Sequence, residues 1–247
     1  AEDFLKKSNG LDYKVKSIEK KPGKKSPAPP FTTSTLQQEA SRKLGFSVSR
    51  TMQLAQNLYE NGFITYMRTD SVNLSNLAMA DIKKVISEKF GSEYSKTRKY
   101  ASKIKVAQEA HEAIRPTYIN NINPDIGKQE QKLYDLIWKR AVASQMADAI
   151  TEKTNIHINS AIEKYEFIAS GEIIKFDGFL KLYIESTDDE NGTEETQGIL
   201  PNLNKGDLLN MQQIEAIEKF TQHPYRYSEA SLVKKLEELG IGRPSTY

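Results

Sequence analysis

The chain has 247 residues, with 35 Lys and Arg against 33 Asp and Glu and no cysteine. The net charge of +2 is no bulk signal for a nucleic-acid partner, and the missing cysteines exclude a disulfide framework and thiolate zinc sites. No apolar run approaches the ~20 residues of a membrane span and Ala1 to Lys7 lacks a signal peptide's apolar core, so the reading is a soluble, cytoplasmic protein with no membrane partner.

Leu11 to Glu19 alternates (Leu11, Tyr13, Val15 against Asp12, Lys14, Lys16) and predicts a strand. Lys20 to Lys25, with Pro22-Gly23, reads as a basic turn, either a solvated loop or a contact for phosphates. Ser26 to Pro30 is stiff and extended, and marks a hinge or domain boundary. Thr33, Ser34 and Thr35 supply N-cap candidates for a helix to about Leu44, with Thr35 and Gln38 at capping-box spacing and Gly45 as the stop. Ser47 or Ser49 caps a second helix, with Met52, Ala55, Leu58 and Tyr59 on one face and Asn61-Gly62 at its end. Gln37, Gln38, Arg42 and Arg50 on these helices are candidates to touch DNA.

Phe63 to Met67 is aromatic and β-branched and predicts a short extended segment. Tyr66, Arg68 and Asp70 then share one side, because extended side chains repeat every two residues. Leu74-Ser75 opens a third helix to Phe90, with Leu77, Ile82, Val85, Ile86 and Phe90 in its stripe and Gly91 behind it. Ser92 to Lys105 mixes Lys96, Arg98, Lys99, Lys103 and Lys105 with Tyr94 and Tyr100. That is either a solvated loop or a path for single-stranded nucleic acid, with cations on phosphates and rings on bases. Gln108 to Arg115 is a short polar helix or turn ended by Pro116, with His111 between Glu109 and Glu112.

Gln129 to Met146 is a helix with Trp138 in its core face. From Thr151 the pattern changes to strands at Asn155–Asn159, Tyr165–Ala169 and Leu180–Ile184, with turns at Gly171 and Asp177-Gly178; His157 is an ordinary strand residue. Asp188 to Glu195 is an acidic loop without a frame for a metal. Asp207 to Thr221 has helical composition, and Ser228 caps a last helix to Leu239, with Ser231 in place of the Glu or Gln of a full capping box.

The Tyr66 segment carries a kit for attack on a phosphodiester. A tyrosine hydroxyl ordinarily titrates near ~10 and needs a cation or base beside it, and an arginine offers phosphate a planar fork of donors. The same spacing also suits a surface ion pair beside a half-buried ring. The order Pro29–Ala40, Ile64–Ser71, Gln108–Pro116, Ser228–Leu236 and Gly240–Tyr247 adds to this. In sequence and spacing these five strings closely resemble the bacterial DNA topoisomerase I family, of the type IA topoisomerases, from about Leu11 to the end.

The resemblance implies the rest. It makes Tyr66 the nucleophile that breaks one DNA strand and holds its 5′ phosphate, Arg68 the donor to the scissile phosphate, and His111 a supporting catalytic group. Asp70 and Thr65 are supporting, Arg115 is structural or phosphate-facing, and Arg243, Ser245 and Thr246 touch DNA. The fold implied is multi-domain α+β. Residues 1–29 and 148–222 form a β-rich arch domain, a mostly helical tyrosine domain over 30–147 is inserted into it, and 223–247 begin a further helical DNA-binding segment. Strand, not helix, is implied within 207–221. The partners implied are single-stranded, negatively supercoiled DNA and an N-terminal Toprim domain, whose acids would hold Mg2+. No such acidic motif stands in this sequence, so the chain is expected to be a fragment that binds no metal itself, is inactive alone and is monomeric. Two alternatives are a tyrosine recombinase, in which the tyrosine follows the arginine and histidine, and a non-catalytic single-stranded DNA-binding module.

Overall fold

The computed structural model describes residues 2–100, 111–160, 166–184, 200–221, 223, 226–243 and 246. The acidic loop at 188–195, Lys103, Lys105, Gln108, Glu109 and Ser245 lie outside them. The chain divides into two compact units, Ala1–Lys25 with Ile150–Phe176 and Asn191–Tyr225, and Ser26–Ala149 with Asp177–Glu190 and Arg226–Tyr247.

The first unit holds a short helix, α1 (Glu2–Ser8), and a four-stranded sheet of β1 (Tyr13–Lys25), β2 (Ala149–Asn159), β3 (Glu166–Phe176) and β4 (Leu208–Leu209). The strand order is β3-β2-β1-β4. β2 and β3 are antiparallel, and β4 pairs only with Tyr13 and Lys14 of β1. The sheet thus joins the first strand of the chain to strands that follow the helices. Tyr13, Val15 and Ile156 are buried, and the Phe167 ring packs against Tyr13 at 5.7 Å and Phe4 at 6.0 Å.

Several expectations for this unit are corrected. Lys20–Lys25 is the second half of β1, not a turn. Because β4 reaches along β1 only as far as Lys14, Pro22 lies where β1 has one strand neighbour and its missing N–H breaks no second ladder. Lys25 and Lys16 reach Glu172 and Glu166 of β3, at 2.7 and 3.0 Å. Gly171 stands inside β3 opposite Thr154 and makes no turn. The strand implied within 207–221 is present as β4, and the helical composition of that stretch otherwise yields irregular chain among the described residues.

The second unit is built on α2 (Thr33–Leu44), α3 (Val48–Glu60), α4 (Asn76–Lys89), α5 (Lys128–Ser144) and α6 (Glu229–Glu238). α5 carries the core. Leu133, Tyr134, Ile137, Trp138, Ala141 and Val142 are buried along it, and the indole of Trp138 donates to the Ile119 carbonyl at 2.8 Å. Thr32 caps α2, ahead of the three expected residues, and forms a reciprocal box with Thr35. A cap of this kind contributes about 1 kcal/mol. Ser47 and Ser75 cap α3 and α4 as the sequence predicts. Leu77 is exposed, outside the buried stripe of α4.

α6 packs on α2, with Ser34 donating to Glu237 at 2.7 Å, and Glu229 accepts from the Val48 N–H at 2.8 Å. Ser228 and Ser231 make a complete reciprocal box at its start, since a serine hydroxyl returns the hydrogen bond as Glu or Gln would.

Leu180–Ile184 is no strand. Gly178–Lys181 forms a 3₁₀ turn, with Gly178 at φ 50°, where an added Cβ would stand 2.5 Å from the Ala147 and Asp148 carbonyl oxygens. Such a close crossing of backbones admits only glycine. Tyr183 then runs inward to donate to the buried Glu39 carboxylate at 2.5 Å.

Candidate active site

The end of α3 delivers the site segment. Gly62 sits at φ 75°, the Gly62 N–H donates to Tyr59 and the Phe63 N–H to Leu58 at 2.8 Å, so the chain reverses in one bonded turn. The short extended segment expected over Phe63–Met67 pairs irregularly with 114–117. Its only bridge is Ile64 with Pro116, flanked by Thr65 N–H to Arg115 O and Thr117 N–H to Phe63 O, both 2.9 Å. Pro116 has no N–H with which to extend a ladder.

The alternation is nevertheless present. Met67, Thr69 and Ser71 are buried, whereas Tyr66 and Arg68 are exposed and Asp70 is half-buried. The inward residues are tied down from α2. The Thr33 hydroxyl lies 2.7 Å from the Met67 carbonyl and accepts the Thr69 N–H at 2.9 Å, while the Thr33 N–H donates to the Thr69 carbonyl at 2.9 Å. Thr33 therefore serves this segment and not the helix cap.

Tyr66 is 38% exposed and lies against two rings: Tyr59, edge-on at 5.2 Å between centroids, and His111, tilted at 6.0 Å. The structure thus brings Tyr66 and His111 together from stretches 45 residues apart in sequence. Thr65 fixes the junction. Its hydroxyl donates to Ala113 O at 2.7 Å and accepts the Arg115 N–H at 3.0 Å.

His111 to Arg115 is not helical, and the Arg115 guanidinium is engaged within the protein. Its guanidinium meets Glu112 at 2.5 and 3.1 Å and the Pro116 carbonyl at 2.9 Å. Glu112 in turn accepts the Ser75 N–H at the start of α4, at 2.5 Å. Burial pushes the Glu112 carboxyl up, but the hydrogen bonds from Ser75 and Arg115 outweigh it and hold the group below its ordinary value.

Two cations of the basic stretch after α4 are engaged within the protein, whereas Lys99 is exposed. Lys96 and Arg98 both grip Asp148 at 2.6 Å, and Arg98 also donates to the Met146 carbonyl. Tyr94 is buried with its hydroxyl on Asp177 at 2.8 Å, and Tyr100 donates to Ser144 O at 2.8 Å. Neither ring is a platform for bases. Gln37, a candidate for DNA contact, is fully buried. Arg243 and Thr246 form a local turn, with the Thr246 hydroxyl accepting the Arg243 N–H at 2.8 Å and the Thr246 N–H donating back to the Arg243 carbonyl at 2.8 Å.

The DNA topoisomerase family model matches residues 1–247. The chain belongs to the bacterial DNA topoisomerase family. DNA topoisomerase 1 of Rickettsia bellii is 52% identical over 261 residues, covering 100% of this chain and 32% of that protein. The Streptomyces coelicolor protein of the same name is 49% identical, covering 95% of this chain and 26% of that protein. Full-length topoisomerase I from Thermotoga maritima has a similar structure, with a TM-score of 0.78 and 38% identity over 100% of this chain and 41% of that one. The chain spans about a third of the length of the first curated topoisomerase relatives, at 32% and 33%.

Within this topoisomerase chain, no group of three or more His, Asp or Glu side chains converges as a cation requires among the described residues. No helix among those residues is long and apolar enough to cross a membrane. Sequence reasoning missed two residues of the site. The sequence sets Tyr59 on one face with Met52, Ala55 and Leu58, whereas the buried positions of α3 are Thr51, Leu54, Ala55 and Leu58, and it offers Thr33 as an N-cap candidate. The only signal for Tyr59 was an aromatic in the final turn of a helix, seven residues before Tyr66.

Proposed function

We propose that this chain is the tyrosine-bearing part of a type IA DNA topoisomerase that relaxes negatively supercoiled DNA without ATP. The observation that carries the reading is Tyr66: an exposed tyrosine on a doubly anchored backbone, beside His111 and two residues before an exposed Arg68. In this reading the Tyr66 hydroxyl oxygen attacks a phosphorus of single-stranded DNA. A P–O bond forms to Tyr66 and the P–O3′ bond breaks, and the tyrosine proton ends on the departing 3′ oxygen. The product is a 5′-phosphotyrosine and a free 3′-hydroxyl. The other strand passes through the gap, and attack by the 3′-hydroxyl reverses the chemistry.

Arg68 supplies donors where charge gathers on the phosphate, and His111 supports the site from beside the Tyr66 ring. Asp70 orients Arg68, and Arg243, Ser245 and Thr246 meet the DNA strand. Magnesium belongs to a Toprim domain of the parent chain, and this segment alone is inactive, monomeric and cytoplasmic.

The test is a denaturing gel of labelled single-stranded oligonucleotide incubated with magnesium and this chain, with and without a separately made Toprim domain. A covalent 5′ adduct is expected only with both pieces, and none with Tyr66→Phe. An adduct on the 3′ phosphate, or one that survives Tyr66→Phe, overturns the assignment. Binding without an adduct in a mixture shown to assemble favours the non-catalytic DNA-binding module.

A further inference from the structure

We infer that Tyr59, in the last turn of α3, is a positioning residue that sets the direction of the Tyr66 side chain, an inference that rests on the reading of Tyr66 as nucleophile. The backbone on either side of Tyr66 is fixed, through Thr65 to Ala113 and Arg115 and through Met67 and Thr69 to Thr33. The side chain is not fixed in that way. It is exposed, and among the described residues no hydrogen-bond partner meets its hydroxyl. A tyrosine so placed has several staggered rotamers open to it, and each carries the hydroxyl oxygen several ångströms from the others. A reaction that needs that oxygen in line with a P–O bond loses rate when it wanders.

The Tyr59 ring is the constraint that α3 provides. Its edge stands on the Tyr66 ring at 5.2 Å and 63° between planes, the geometry that aromatic quadrupoles favour. Its own backbone cannot drift from Tyr66, because Tyr59 O accepts the Gly62 N–H at 2.9 Å and Leu58 O accepts the Phe63 N–H at 2.8 Å. Core packing does not explain this residue. Leu54, Ala55 and Leu58 fill the inward face of α3, whereas Tyr59 is 40% exposed. A helix end thus offers an aromatic edge to solvent at the one place where it meets the reactive ring. The role belongs to the ring and not to the hydroxyl.

The experiment uses the full-length parent chain carrying Tyr59→Leu, Tyr59→Phe or Tyr66→Phe. Adduct formation is timed at saturating oligonucleotide, and noncovalent affinity is measured separately by anisotropy. Tyr59→Leu is expected to slow adduct formation about tenfold, the weight of one aromatic contact, with affinity unchanged, and Tyr59→Phe to restore the rate. A wild-type rate in Tyr59→Leu, or equal slowing in Leu and Phe, overturns the inference. An adduct that persists in Tyr66→Phe sinks the underlying assignment instead, so the two failures are distinct. Circular dichroism and the thermal midpoint report whether each variant is folded. Where Tyr59→Leu fails that check, Tyr59→Gln is read in its place, with the same slowing expected and a wild-type rate again overturning the inference.

Discussion

Two stretches of the helical unit carry tyrosine and arginine close together, and they are put to opposite uses. In Tyr66–Arg68 both side chains face outward from a backbone held by Thr33, Ala113 and Arg115. In Tyr94–Tyr100 the hydroxyls are bound to Asp177 and Ser144, and Lys96 and Arg98 close on the buried Asp148. The second stretch is the more basic and the more aromatic, and so the better match to a nucleic-acid composition. Exposure separates them: Arg68 is exposed, whereas Arg98 is half-buried on the buried Asp148. A guanidinium already paired with a buried carboxylate would have to leave an unpaired charge behind in order to meet a phosphate.

The largest expected effect sets the two regions against each other. Tyr66→Phe removes the covalent adduct altogether and leaves the thermal midpoint of the protein unchanged, whereas Tyr94→Phe keeps the adduct. Loss of adduct in both variants would erase the distinction.

Next is Arg98→Met, which takes one cationic partner from the buried Asp148 and is expected to lower stability by about 2–3 kcal/mol. Denaturant unfolding followed by Trp138 emission measures it. If oligonucleotide affinity falls and stability does not, Arg98 is a DNA contact after all.

Thr33→Val is expected to cost about 1–2 kcal/mol, because the Met67 carbonyl and Thr69 N–H lose their partner. It should also slow adduct formation, since the backbone under Tyr66 loosens. Unchanged stability and rate would mean that Thr65 alone anchors the segment.

The smallest effect is a pH dependence at Glu112. Its folded-state pKa lies below the ordinary 4.5, so its contribution is fully present above that unfolded value and is lost as pH falls through the folded one. Unfolding curves measured downward from pH 5 should lose less stability in Glu112→Gln than in the wild type, and parallel curves would exclude the linkage.

Much of the helical part was legible in the sequence because helix ends are local events. Ser47, Ser75 and Ser228 each bond an N–H three residues on, and Gly45 ends α2 through the left-handed conformation that glycine takes readily. The alternation that turns Tyr66 and Arg68 outward is local as well, since it follows from an extended backbone even where no regular strand forms. The five family strings and their order were likewise present in the sequence, and the family match over residues 1–247 agrees with them.

The tertiary structure decided what depends on partners far along the chain. Arg115 could have faced phosphate until Glu112 and the start of α4 claimed it. The cations after α4 could have been free until Asp148, about 50 residues on, met them. Leu180–Ile184 could have been a strand until Glu39 drew Tyr183 inward. Tyr59 could have been one more residue on an apolar helix face until the turn at Gly62 laid its ring against Tyr66. A sequence shows which groups can donate, accept or pair. Which of them stay exposed is set by contacts between distant segments, because a group buried against a partner far along the chain is withdrawn from solvent.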